Sequence, residues 1–71
     1  MTYEEFIEDI NRMIEERPPY FRKGQAVYNY IHEKYGVSDD IQHYDDVDCF
    51  YRDQDIDLFC QLAYKRIMNN D

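Results

Sequence analysis

Positive charge is in short supply in this chain. Eight Lys and Arg stand against sixteen Asp and Glu, for a net charge of −8. The cations are dispersed, and Arg22, Lys23 and Lys34 leave residues 18–38 with a net charge of only +2. A nucleic-acid footprint needs Lys and Arg clustered on one face, so direct binding to DNA or RNA phosphates is not expected. Long apolar runs are missing as well, and none approaches the ~20 residues of a membrane span. The first residues, Met1-Thr2-Tyr3-Glu4-Glu5, are acidic, where a secretory signal is basic and then apolar. A cytoplasmic protein with no membrane association is therefore expected. Cysteine is limited to Cys49 and Cys60, which lie among apolar residues without metal-ligand or redox spacing. Reduced, mostly buried thiols are the expectation. With two glycines, two prolines and no repeat or low-complexity stretch, nothing divides the 71 residues into more than one domain. At about this size a domain buries only ~60% of its unfolded surface, so stability is marginal without good packing or a partner.

What the chain has in quantity is aspartate. Residues 39–57 hold eight aspartates and a single Lys or Arg, Arg52, around the segment Val47-Asp48-Cys49-Phe50-Tyr51. A run this acidic usually dissolves into disorder. Here Ile, Val, Phe and Tyr are frequent enough to keep it folded, so the charge is expected on a shaped surface, suited to a basic partner.

The periodicity predicts an all-α single domain over residues 1–71: three main helices, a short helical turn and an ordered acidic loop. Thr2 and Glu5 have capping-box spacing. Tyr3, Phe6, Ile7, Ile10, Met13 and Ile14 then recur at helical steps, until Pro18 and Pro19 stop the helix near Arg17. A second helix is expected over 22–35, closed by Gly36 as a left-handed cap. Val27, Tyr28, Ile31 and Tyr35 form its main face, with Gly24 on that side, while Ala26 and Tyr30 point away. Apolar groups on two sides predict a central helix. Ser38 is read as the cap of a short turn over 39–42. Residues 43–52 are read as an ordered loop with Val47, Phe50 and Cys49 plugged into the core, with room for a two-residue β-bridge. Asp53 is read as the cap of a last helix reaching Met68, with Ile56, Phe59, Cys60, Ala63 and Ile67 facing inward. The expected core is Phe6, Ile7, Ile10, Ile14, Val27, Ile31, Ile56, Phe59, Ala63 and Ile67. The tail 69–71 is expected to fray.

Arg22-Lys23-Gly24-Gln25 and Asn29, followed by Asp48-Cys49-Phe50-Tyr51, Asp53, Ile56 and Phe59, form a recognisable series. It resembles small acidic proteins of phages and other mobile elements, with a pattern near R-x-G-Q-x-x-x-N, a spacer, then D-x-F-Y-x-D-x-x-I-x-x-F. The resemblance covers Arg22 to Phe59. It implies a phage or mobile-element setting and a compact helical fold, and it carries over no catalytic residue. Arg22, Gln25 and Asn29 share one side of this helix, and the amides there are expected to hydrogen-bond the backbone of the 44–52 loop. Gly24 would let another element approach closely.

Signatures of catalysis and metal binding are incomplete. Asp53, Asp55 and Asp57 have the spacing that opens a calcium loop. The sixth position is Leu58 where a glycine is needed, and the twelfth is Tyr64 where a glutamate is needed. His32 and His43 lack Cys or His partners at zinc-ligand spacing. His43 lies near Asp45 and Asp46, with no nucleophile beside it and too small a chain to enclose a substrate. No enzyme activity, cofactor or metal is expected. The eight tyrosines divide into helix-face residues such as Tyr3, Tyr28 and Tyr35, and element-end residues such as Tyr20, Tyr44 and Tyr51. The second group suits an interface.

The expected function is a non-enzymatic acidic binding protein, a phage-type inhibitor of a host defence protein. It would present carboxylates to a basic, nucleic-acid-binding surface as a nucleic-acid mimic. The partner-binding residues are expected to be Asp39, Asp40, Asp45, Asp46 and Asp48, with Tyr44 and Tyr51. The alternative is a small structural or assembly protein that homodimerises through an apolar face of the last helix at Leu58 and Leu62.

Overall fold

Helix α1 (Tyr3–Glu16) forms as its own sequence dictates. In the computed structural model, which describes residues 1–69, the Thr2 hydroxyl accepts from the Glu5 N–H at 3.1 Å and Glu5 Oε1 accepts from the Thr2 N–H at 2.8 Å. Phe6 and Ile10 are buried. Arg17, in extended backbone ahead of Pro18, ends the helix. Its guanidinium donates to the carbonyls of Ile14 and Phe21 and so holds the turn into the next element.

Helix α2 (Lys23–Tyr35) is the centre of the molecule and packs against every other helix. Val27 and Ile31 are buried on one side and Ala26 on the other. Gly36, at φ 72°, closes the helix with its N–H directed at the carbonyls of Ile31 and His32. The N-terminus of α2 is built non-locally. Arg22 has no capping side chain to offer, and Asp53 Oδ1, 29 residues away, accepts from the Gly24 N–H at 3.0 Å. A carboxylate at the positive end of a helix is favourable. Asp53 therefore caps α2 and not, as the sequence suggests, the last helix.

Helix α3 (Ser38–Tyr44) is longer than the expected turn, which makes the fold four α-helices and not three. Ser38 is not its cap. The side chain is buried, and its hydroxyl donates to the Tyr28 carbonyl at 2.9 Å. This tie to α2 explains why a polar group tolerates complete burial. Val37 and Ile41 are buried beside it and were absent from the expected core. Asp46 follows α3 in the left-handed region at φ 56°, a conformation common just past a helix end but uncommon outside glycine and asparagine.

Val47 and Cys49 are buried as anchors of the following loop, and Phe50 is half-buried with its ring edge-on to Tyr28 at 5.5 Å. No β-bridge forms among the described residues. A 3-10 turn (Asp53–Asp55) leads into α4 (Ile56–Asn69), where Phe59, Cys60 and Ala63 are buried. Ile7, Ile14, Ile56 and Ile67, expected in the core, lie half-buried at its edge. Asn69 still belongs to α4, and the rest of the expected frayed tail, Asn70 and Asp71, lies outside the described residues.

Gly24 is where loop and helix meet. A Cβ at this position would overlap the Cys49 carbonyl oxygen and stand 2.9 Å from Asp53 Oδ1. The Cys49 thiol in turn donates to the Gly24 carbonyl at 3.3 Å. The close approach expected of Gly24 is observed.

Candidate interaction surface

The five aspartates expected to form one binding face divide into two groups. Asp45 and Asp48 are internal. Asp45 Oδ2 accepts from Arg66 Nη2 at 3.1 Å and Nε at 3.2 Å, with both side chains about two-thirds covered. This bridge fastens the end of α3 to α4. Asp48 Oδ1 accepts from the Phe50 N–H at 2.9 Å, and Oδ2 accepts from Gln42 Nε2 at 3.0 Å. Its carboxylate shapes the loop from within. Both are engaged within the fold and remain partly exposed.

Asp39, Asp40 and Asp46 are exposed. Asp40 and Asp46 make no side-chain hydrogen bond or ion pair among the described residues, while Asp39 is oriented by α2. The Tyr28 hydroxyl lies 2.5 Å from Asp39 Oδ1 and 3.2 Å from Gln42 Oε1. With one hydrogen to give, it donates to the shorter contact. Burial, reinforced by the bond to Asp39, pushes the Tyr28 phenol far above its usual range, so it remains a donor at any physiological pH. His32 Nδ1 stands 3.8 Å from Asp39 Oδ2, a separation at which an exposed pair contributes little.

Tyr44 is 72% exposed and Tyr51 is 69% exposed. Tyr44 packs edge-on against His43, and Tyr51 against Phe50. His43 is exposed and makes no hydrogen bond with Asp45 or Asp46 among the described residues. Three carboxylates and two rigid aromatic rings thus stand on the α3-to-loop surface.

The remaining sequence candidates separate. Arg22 does reach the loop, donating to the Phe50 carbonyl at 2.5 Å, and its guanidinium lies 6.0 Å from the Tyr51 ring centre. Gln25 and Asn29 do not: both are half-buried, neither amide has a hydrogen-bond partner among the described residues, and Asn29 lines a groove shared with α1. Helical spacing located them on α2, but it carries no information about which neighbour packs there. Asp53 is committed to α2, Asp55 is half-buried in the 3-10 turn and Asp57 is exposed at the start of α4. No group of three or more His, Cys, Asp or Glu among the described residues has metal-holding geometry. Leu58 is 48% exposed, while Leu62 is half-buried in a hollow beside the Asp45–Arg66 bridge. The apolar seam the sequence suggests thereby narrows to one leucine.

Both thiols are free and buried. Burial raises Cys49 well above the ordinary cysteine value, and burial with the nearby Asp57 charge pushes Cys60 up to about 12. A thiol held protonated is a poor nucleophile and a poor metal ligand. A hollow of about 790 Å³ lies between the end of α1 and the 3-10 turn. Arg17, Arg22 and Lys23 line it together with Asp53 and Asp57, so cations and carboxylates mix there. No helix among the described residues is long and apolar enough to cross a membrane.

No family model matches the chain, and no curated protein or solved structure is significantly similar to it.

Proposed function

We propose that this is a non-enzymatic binding protein whose α3-to-loop surface presents carboxylates to a basic, nucleic-acid-binding surface of a partner protein. The observation that carries this reading is the division of labour among the aspartates. Asp45 and Asp48 are engaged within the fold, while Asp39, Asp40 and Asp46 are exposed, as are Tyr44 and Tyr51. Asp39, oriented by the Tyr28 hydroxyl, has little side-chain freedom to lose on binding, and the exposed carboxylates together steer association with a cationic surface. Exposed tyrosines supply contact area with few rotatable bonds. The net charge of −8 acts in the same direction at longer range.

The resemblance to small acidic phage and mobile-element proteins rests on the quoted residues alone, and it favours a role as an inhibitor of a host defence protein. Occupying a Lys- and Arg-lined groove in place of nucleic-acid phosphates would provide the mechanism. Capture from host lysate at low salt, followed by competition with duplex DNA, tests the reading. DNA that displaces the captured partner agrees with it, and a partner indifferent to DNA contradicts the mimicry. The exposure of Leu58 favours the second reading, assembly as a homodimer. Light scattering on the parent and on Leu58→Glu separates the two: an acidic monomer supports the binding role, and a stable dimer lost in the variant supports assembly.

A further inference from the structure

On the other side of α2 from Tyr28 and His32, a groove of about 240 Å³ runs between α1 and α2. Ala26, 8% exposed, lies in it between the half-buried rings of Phe21 and Tyr30. Met13 and Pro18 complete the apolar lining. The volume is below the ~300 Å³ at which small-molecule pockets begin, so it suits one or two side chains and not a cofactor. Polar groups surround it in a definite pattern. Glu16 and Glu33 are exposed and form no ion pair among the described residues. The Asn29 amide also lines the groove, without a partner. Arg17 contributes a cation to the lining, with Nε and Nη1 donating to the Phe21 and Ile14 carbonyls, and Lys34 Nζ lies over the Tyr30 ring. Tyr20, 80% exposed, stands edge-on to Phe21 with ring centres 5.1 Å apart.

We propose that this groove is a second docking site, which takes an aliphatic side chain of a partner protein flanked by Lys or Arg. The apolar lining accepts the anchor, Glu16 and Glu33 receive the flanking cations, and the Asn29 amide bonds the backbone of the incoming segment. Tyr20, exposed and edge-on to Phe21, offers a further aromatic contact next to the lining. The Asn29 amide has no hydrogen-bond partner among the described residues and its polar atoms reach solvent, so it is free to bond an incoming backbone. The proposal shares with the preceding one only the basic character of the partner, and it uses a different face.

The test is a titration of the ¹⁵N-labelled full chain with a blocked heptapeptide carrying a central Leu between Lys pairs. The same peptide with a central Ala serves as the comparison. The amides of Met13, Ala26, Asn29 and Tyr30 should shift, and the Leu peptide should bind about tenfold tighter, as expected for burying one aliphatic side chain. Asn29→Ala should keep the parent's melting temperature and weaken the Leu peptide about fivefold, the effect of one neutral hydrogen bond. Equal affinity for the two peptides, or no shift in the groove, overturns the proposal. Shifts confined to residues 39–48 overturn it while leaving the acidic surface intact, and no shift in either region removes both. Groove shifts that follow protein concentration without peptide make the occupant a second copy of this chain and also overturn it.

Discussion

Replacing Gly24 by alanine adds one methyl group at the point where loop and central helix are closest. The new Cβ would overlap the Cys49 carbonyl oxygen and lie 2.9 Å from both the Cys49 carbonyl carbon and Asp53 Oδ1. The obstacle is mainly backbone, so the loop has to move. Overpacking of this kind costs about 1–3 kcal/mol. Displacing Asp53 from the Gly24 N–H adds about 1 kcal/mol, the usual value of an N-terminal cap. The Cys49 thiol bond to the Gly24 carbonyl is strained as well. The better helix propensity of alanine returns at most about 1 kcal/mol. The net expectation is a loss of roughly 1–4 kcal/mol, from a total of roughly 4–10 kcal/mol for a domain of this length. That corresponds to a fall in melting temperature of roughly 5–25 °C, read by circular dichroism and by urea titration. Gly36→Ala is the control. Nothing lies within 4 Å of its Cβ position and φ is 72°, so its cost of about 1 kcal/mol is purely conformational. In an Asp53→Ala background the cap is already lost, and Gly24→Ala should cost about 1 kcal/mol less. If Gly24→Ala melts like the parent, the loop does not press on α2 and the account of its anchoring is wrong.

Asp46→Gly relieves the left-handed backbone at φ 56° and should stabilise the fold by about 0.5 kcal/mol after the added chain entropy, measured by urea unfolding; a loss of stability contradicts the strain. Thr2→Ala removes the hydroxyl that accepts from the Glu5 N–H, keeps the backbone N–H bond of residue 2 to Glu5 Oε1, and should cost about 1 kcal/mol at neutral pH. These bonds lower the Glu5 pKa from its ordinary 4.5, so Glu5 contributes stability above that value and loses it as pH falls through the lowered folded value. The melting difference between parent and Thr2→Ala should therefore narrow in acid, and a difference that widens in acid reverses the sign. Cys49 and Cys60 should both resist Ellman's reagent at pH 8 in the native protein and react together in denaturant, since burial holds them protonated. Rapid labelling of either in the native state contradicts the packing.

Most local signals are legible in the chain and most non-local ones are not, apart from the close approach at Gly24 and the buried Val47 and Cys49. The Thr2–Glu5 box, the stop at Pro18 and the left-handed Gly36 each depend on neighbours within a few residues, and all are present. Ser38 looked like a cap because serine caps helices, but its hydroxyl is turned inward to the Tyr28 carbonyl, ten residues back. Asp53 has capping chemistry, but it serves a helix 29 residues away. The same distance problem affected the candidate surface. Asp45 looks displayed until Arg66, 21 residues on, is brought beside it. Asp48 was the exception, because an aspartate two residues before the N–H it accepts is a common local turn. The amide of Asn29 was placed on the correct helix but assigned to the wrong neighbour, since a period of 3.6 residues fixes a face without naming what covers it.

The acidic surface is tested most directly by the salt dependence of affinity for the partner captured at low salt, compared between the parent and a variant carrying Asp39→Asn, Asp40→Asn and Asp46→Asn. The account predicts that the parent's affinity falls steeply as salt rises, as expected for charge pairs screened over a Debye length of ~10 Å at 0.1 M. It also predicts that the triple variant binds weakly at every salt concentration while melting no lower than the parent. An affinity that ignores salt, or a triple variant that binds as tightly as the parent, contradicts it.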